Sequence, residues 1–267
     1  MGLNSEWQDF IEDIIGTKEY EDEPIKYKLE YDSIIAQIKD HHKKLGLNVD
    51  KKDYEDNFEN SICLDTFSVF KENKDKIIEE KSFDEATFEK HLDTGIGSTS
   101  IDFFLENKDA IIGIDSRFTE MLKMKLPNRQ NELQNYINRK ELSYLPDGFD
   151  KLARYYIDLK EELYLDVVRL IKISMGILNN KNERQARLLY IYWAPLNYRK
   201  LEMYQKHFSE IETFKNKMRR YLSFKSITYD KFWSFYQDNE LFKDHIAKLR
   251  NKYNFECLLP PSMSSPL

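Results

Sequence analysis

Residues 98–120 read STSIDFFLENKDAIIGIDSRFTE. Two apolar runs, Ser100 to Leu105 and Ala110 to Phe118, flank the turn-prone Glu106-Asn107-Lys108-Asp109, and this spacing predicts a β-hairpin. Each strand carries a carboxylate where a buried strand ordinarily has none: Asp102 on the first, Asp115 on the second. Residues two apart on a strand project to one face, so Arg117 stands beside Asp115. Strand pairing then brings Asp102 to the same end of the sheet. Two acids and a base converging there suit a hard divalent cation and a phosphate. The run AIIGI at 110–114 is apolar without alternation, so both its faces are covered. An ionised Asp115 at its end is costly to bury unless it is paired or metal-bound.

The bulk properties narrow the class. The chain has 267 residues, 33% charged, 41% hydrophobic and 14% aromatic, with 8 Gly and 7 Pro. That length can bury a sizeable core, and the composition is globular and helix-rich. A formal charge of −6 argues against a generally basic nucleic-acid coat, but leaves room for a local basic face. Cys63 and Cys257 lack metal-ligand spacing, and a reduced intracellular protein is the economical reading. The stretch MGLNSEWQDFIEDII has no secretory pattern, and no apolar run approaches the ~20 residues of a membrane helix. The expectation is a cytoplasmic protein with no membrane partner.

Working outward, residues 5–15 and 25–44 have amphipathic helical spacing, and a polar linker is expected at 48–57. Residues 58–72 place Phe58, Ile62, Phe67 and Phe70 at helical intervals. A short element around Ala86 to Leu92 and the turn Thr94-Gly95-Ile96-Gly97 lead into the hairpin. After Pro127, NRQNELQNYINRK predicts a helix, and residues 150–178 predict one long helix through Leu152, Tyr156, Leu159, Leu163, Val167, Leu170, Ile171 and Met175. The run RLLYIYW at 187–193, closed by Pro195, predicts a third core strand. Helices are expected again at 207–222 and 228–252, before a loose Pro- and Ser-rich tail. The fold class is α/β with α+β character: a small central sheet surrounded by many helices. The expected organisation is an N-terminal helical extension (1–57), a main domain (58–255) and a flexible tail (256–267).

An acid on a preceding element, an Asp on one strand and (Asp/Glu)-x-Lys on the next form the PD-(D/E)XK nuclease signature. The chain resembles that superfamily and, more narrowly, a poorly characterised restriction-endonuclease-like family. The residues that carry the resemblance are Phe88-Glu89, Ile101-Asp102-Phe103-Phe104 and Ile114-Asp115-Ser116-Arg117-Phe118-Thr119-Glu120. The resemblance covers most of 58–253, but only the 88–120 motif is specific. It implies a restriction-endonuclease-like core and a metal-dependent endonuclease acting on DNA, with restriction or another defence role. Glu89, Asp102 and Asp115 would bind Mg²⁺ or Mn²⁺, Arg117 would take the place of the catalytic lysine, and Glu120 would be an accessory group. Glu85 could replace Glu89 as the third acid. Arginine at 117 departs from the pattern: it stays protonated and cannot act as a base, although it can clamp a phosphate. The alternative is therefore a catalytically impaired relative that binds nucleic acid or a protein partner. Cutting both strands of a duplex commonly takes two sites, which would make the protein a homodimer, although nothing in the sequence marks an interface.

Each signal also has a plainer reading. Asp102 and Asp115 could be ordinary polar strand ends in a helical interaction module, in which case they would lie apart in space. Arg117 could be only the salt-bridge partner of Asp115. His41 and His42 are expected to be exposed, Gln130 and Gln134 to lie on a helix surface, and Tyr190, Tyr192 and Trp193 to be core. The basic residues Lys123, Lys125, Arg129, Arg139 and Lys140 follow the hairpin. With the clusters at Arg184/Arg187, Arg199/Lys200 and 215–220, they are candidates for phosphate contact.

Overall fold

The computed structural model describes residues 28–49, 52–73, 83–137 and 139–259. Its centre is a five-stranded sheet in the order β1-β2-β3-β4-β5. The strands are β1 (Glu85–Asp93), β2 (Ser98–Glu106), β3 (Ala110–Arg117), β4 (Gln185–Tyr192) and β5 (Ser223–Thr228). The first three form an antiparallel meander, and β3, β4 and β5 run parallel. Antiparallel neighbours can be joined by tight turns, whereas parallel ones need long crossovers. The helices occupy the crossovers and flanks, so the mixed sheet sits as a small core within them.

The hairpin turn has a local cause. Asn107 Oδ1 accepts the backbone N–H groups of Asp109 and Ala110 at 2.8 and 2.7 Å, a side-chain substitute for backbone pairing. Both faces of β3 are covered, as its apolar run requires: every residue from Ala110 to Ser116 is buried.

The described helices are α1 (Tyr31–Lys44), α2 (Lys52–Glu72), the single turn α3 (Pro127–Gln130), α4 (Phe149–Asp158), α5 (Val167–Asn180), α6 (Glu202–Met218), α7 (Tyr229–Ser234) and α8 (Lys243–Tyr253). Helix α5 matters most for the site. A Cβ on Gly113 of β3 would stand 2.4 Å from Ile101 Cδ1 and 2.8 Å from Ile177 Cδ1 of α5. A Cβ on Gly176 of α5 would stand 2.7 Å from Leu92 Cβ of β1. The missing side chains let the helix lie close on the sheet. Asp166 caps the start of α5 by accepting the Arg169 N–H at 3.1 Å, and the Arg169 side chain joins that end to Asp115 near the end of β3.

Several expectations need correction. The expected linker at 48–57 is helical from Lys52 onward, because α2 begins there. The element around 86–92 is the edge strand β1, and β5 is a strand between two helices. The single helix over 150–178 is two, because Lys125 and Leu163 exchange backbone hydrogen bonds and hold residues 159–166 out of helix. Past Pro127 the chain makes one α turn and then 3₁₀ turns at Asn131–Tyr136 and Lys140–Leu142. His42 is buried, with its ring on the Lys252 carbonyl at 3.2 Å, and burial followed by the Lys252 charge pushes its pKa down to about 4. Gln130 is likewise buried and donates to the Glu161 carbonyl at 3.2 Å.

The core strand at 187–193 and its buried Tyr190, Tyr192 and Trp193 are found as expected. The expected helix at 5–15, residues 25–27 of the next, and the tail beyond residue 259 lie outside the described residues. Within the described part of the tail, Cys257 N–H donates to Asn197 Oδ1 at 3.0 Å and Leu258 N–H to Gln37 Oε1 at 2.6 Å. No described helix is long and apolar enough to cross a membrane.

Candidate active site

The strand pairing of β2 with β3 runs from Glu106–Ile111 to Phe103–Ile114. One step beyond that register, Asp102 faces Asp115, and cross-strand neighbours share a face. Here the Asp102 side chain takes over the ladder's work: its Oδ2 accepts the Ser116 N–H at 2.7 Å. The two carboxylates thus meet at one end of the hairpin, which excludes a fold in which they lie apart.

Two arginines close on them. Arg117 Nε donates to Asp115 Oδ2 at 3.0 Å, and its Nη2 donates to Asp115 Oδ1, a two-point grip within one strand. Arg117 Nη1 reaches Glu120 Oε1 at 3.3 Å. Glu120 is itself anchored, its Oε2 accepting the N–H groups of Phe118 and Thr119 at 2.8 and 2.9 Å. The second arginine, Arg169, comes from α5. Its Nε donates to Asp115 Oδ1 at 2.8 Å and its Nη2 to Asp102 Oδ1 at 2.9 Å, so one guanidinium bridges both acids.

Electrostatics separate the two carboxyls. Burial, followed by the Asp115 charge, pushes Asp102 up to about 6, although Arg117 and Arg169 pull against it. Burial opposes ionisation of Asp115 too, but there the two guanidiniums outweigh it and hold the carboxyl below its ordinary value. Two facing acids in a dry setting need positive charge between them, and the arginines supply it.

The surroundings add cations and one further acid. Lys125 Nζ donates to the Glu120 carbonyl at 3.2 Å, and its pKa is lowered by burial and by the Arg129 and Arg117 charges. Arg129 pairs with Asp166 at 2.5 Å, beside the start of α5. Glu59 of α2 is exposed on the neighbouring surface, and partial desolvation with the Glu120 charge pushes its carboxyl up. Beneath the hairpin, Ser116 Oγ meets Tyr229 OH at 2.5 Å and the buried Cys63 thiol.

The structure thus brings Asp102, Asp115, Arg117 and Glu120 together. Glu89 is on β1 between Phe88 and Lys90, which pair with Phe103 and Ile101, but it is left out of the pairing itself, is exposed, and its φ of 51° lies in the left-handed region. Glu85 is also on β1 and pairs with Lys90 at 3.8 Å, away from this cluster. Sequence reasoning missed Arg169, which reaches the site through tertiary packing. Nothing about it stands out locally, except that Asp166 three residues ahead of it is a helix-start signal.

Among the described residues, no group of three or more His, Cys, Asp or Glu is arranged to hold a metal ion. The donor chemistry nevertheless suits Mg²⁺, which needs only one or two carboxylates and keeps several waters. Asp102 and Asp115 direct an oxygen each at one cationic group, the Arg169 guanidinium.

Residues 52–254 match the model of a protein family described as Restriction Endonuclease associating with ARP. No curated protein and no solved structure matches the chain.

Proposed function

The chain belongs to the family described as Restriction Endonuclease associating with ARP, and on that premise we propose that it is a Mg²⁺- or Mn²⁺-dependent endonuclease of PD-(D/E)XK type that hydrolyses DNA phosphodiester bonds. The observation that carries this reading is the convergence of Asp102 and Asp115 on one cation, at 2.9 and 2.8 Å. A divalent ion bound there would supply Lewis acidity toward a phosphoryl oxygen and acidify water for attack. The chain's own residues do the rest. Asp102 and Asp115 would hold the ion. Arg117, oriented by Asp115 and Glu120, would stabilise negative charge developing on the phosphate. Lys125 and Arg129 would lie along the approach of the nucleic-acid backbone.

The test is cleavage of mixed plasmid and phage DNA with Mg²⁺ or Mn²⁺, with wild type beside Asp115→Asn. Metal-dependent cutting lost in the variant establishes the nuclease. Equal cutting by both proteins sinks the assignment.

A second reading has its own support in the commitment of Arg117, whose three guanidinium nitrogens are held by Asp115 and Glu120. A permanently protonated group so engaged cannot accept a proton. On this reading the protein binds nucleic acid or a protein partner and cuts slowly or not at all. Arg117→Lys should then create or raise cleavage, and an unchanged rate in a variant that still binds metal removes this explanation.

A further inference from the structure

We propose that Arg169 is a resident cation that occupies the divalent-ion position and competes with the metal for Asp102 and Asp115. The inference rests on the metal-dependent reading of the site and goes beyond it, because it makes metal occupancy conditional on moving a named side chain.

The argument starts from geometry. Arg169 donates through two different nitrogens, Nε to Asp115 and Nη2 to Asp102, and so spans the gap between the acids. Asp115 Oδ1 also accepts from Arg117 Nη2, and its Oδ2 from Arg117 Nε. Asp102 Oδ2 is taken by the Ser116 N–H. The oxygens through which both acids could share an ion are those that Arg169 holds. Arg117 is different: it grips Asp115 from within the same strand, and its nearest approach to Asp102 is 3.9 Å. It can stay where it is while Arg169 leaves.

The charge balance points the same way. Three carboxylates, Asp102, Asp115 and Glu120, face two guanidiniums, and adding a divalent ion to this set turns a single net negative charge into a net positive one. Withdrawing Arg169 relieves this, but then a partly buried guanidinium lacks its anions. A phosphodiester is an anion whose geometry a guanidinium matches at two points. Substrate arrival therefore gives Arg169 a new partner and releases the acids to the metal. Metal and DNA should each strengthen the binding of the other, by reciprocal linkage.

The test is Mn²⁺ binding without nucleic acid, read from the electron paramagnetic resonance signal of the free ion, with thermal melts to verify folding. Arg169→Met should bind Mn²⁺ about tenfold more tightly than wild type, a coupling of ordinary size. Arg169→Lys keeps a charge but cannot bridge both acids, and should also gain affinity. It carries the test alone if the methionine variant fails to fold. Gain in Met but none in Lys would mean that general repulsion acts, not occupancy, and would overturn the proposal. Equal affinity in all three proteins would overturn it while leaving the metal site intact. Mn²⁺ binding by none of them, or binding unaffected by Asp115→Asn, would remove the metal reading itself and this inference with it.

Discussion

The two ends of the β2–β3 hairpin each hold an ion cluster, and they differ in how their facing acids are balanced. At the turn end Glu106 accepts from Lys90 at 3.1 Å and from Arg184 at 2.7 Å, while Glu85, opposite it on β1 and 3.8 Å from Lys90, stands exposed. Burial alone would raise Glu106, but Arg184 and Lys90 outweigh it, and its carboxyl lies below its ordinary value. At the far end two acids face each other, and one of them, Asp102, is pushed up to about 6. The turn-end cluster fastens β1 and the β4 entry to the hairpin. The far-end cluster needs imported charge to exist at all, so its like-charge pair is a liability for stability and an asset for binding cations. The comparison separates a fastening from a site, although both would be counted simply as salt bridges.

The largest expected effect comes from Asp115→Asn. It removes a buried carboxylate from two partly buried guanidiniums, and urea unfolding should show a loss of about 3–5 kcal/mol, the range for breaking a buried pair. The matching change at the turn end, Glu106→Gln, weakens part-buried charge-assisted bonds and should cost less, about 1.5–3 kcal/mol. Equal losses would erase the distinction.

Gly113→Ala tests whether close packing of α5 sustains the far end. The new methyl meets the terminal Cδ1 atoms of Ile101 and Ile177 at 2.4 and 2.8 Å, so those side chains must shift, and overpacking of this kind costs about 1–3 kcal/mol. Fitted urea curves give the loss, and Mn²⁺ titration shows whether displacing Arg169 alters the site.

A smaller effect concerns pH. Asp102 has a raised folded value, so its contribution to stability is present at low pH and lost as pH rises through about 6. Asp102→Asn, which mimics the protonated group, should gain on wild type between pH 4.5 and 7.5. Glu106 is depressed, so its contribution is present above its unfolded value and lost as pH falls through its folded one. Glu106→Gln should therefore lose ground to wild type as pH rises from 3 to 6. Urea midpoints across these ranges check both signs. The smallest effect is Lys90→Ala, which removes one partly exposed partner of Glu106 and should change stability by about 0.5 kcal/mol.

The two ends also differ in how far the sequence exposes them. Asp102, Asp115 and Arg117 were legible because hairpin geometry is local: an Asn-centred turn and two apolar runs fix which residues meet. Arg169 was not, since it reaches Asp115 from 54 residues away, through a helix start that the apolar periodicity of 150–178 runs straight across. The Lys125–Leu163 backbone pairing breaks that periodicity, helped by Gln130, Lys206 and Glu210 on the backbone of 161–165, and the one local signal is the helix-start Asp166. The edge strands were obscured for a different reason. β1 reads EATFEKHLD, and its charged, largely exposed residues leave little apolar alternation to detect. Residues 223–228, SFKSIT, are short and similarly half-exposed. His42 and Gln130 were misplaced because burial of a polar side chain depends on a distant carbonyl partner.

The mixed topology of the sheet has a consequence for how the molecule assembles. The β1–β2–β3 meander pairs residues close in sequence, while the parallel joins to β4 and β5 close long loops. Local contacts form sooner, because less chain entropy is lost in making them. Asp102, Asp115 and Arg117 all lie within that local hairpin, whereas Arg169 reaches Asp115 across 54 residues. The cost of closing that longer loop falls on the contact that completes the site, so the site's last ion pair is the one most exposed to changes in chain connectivity.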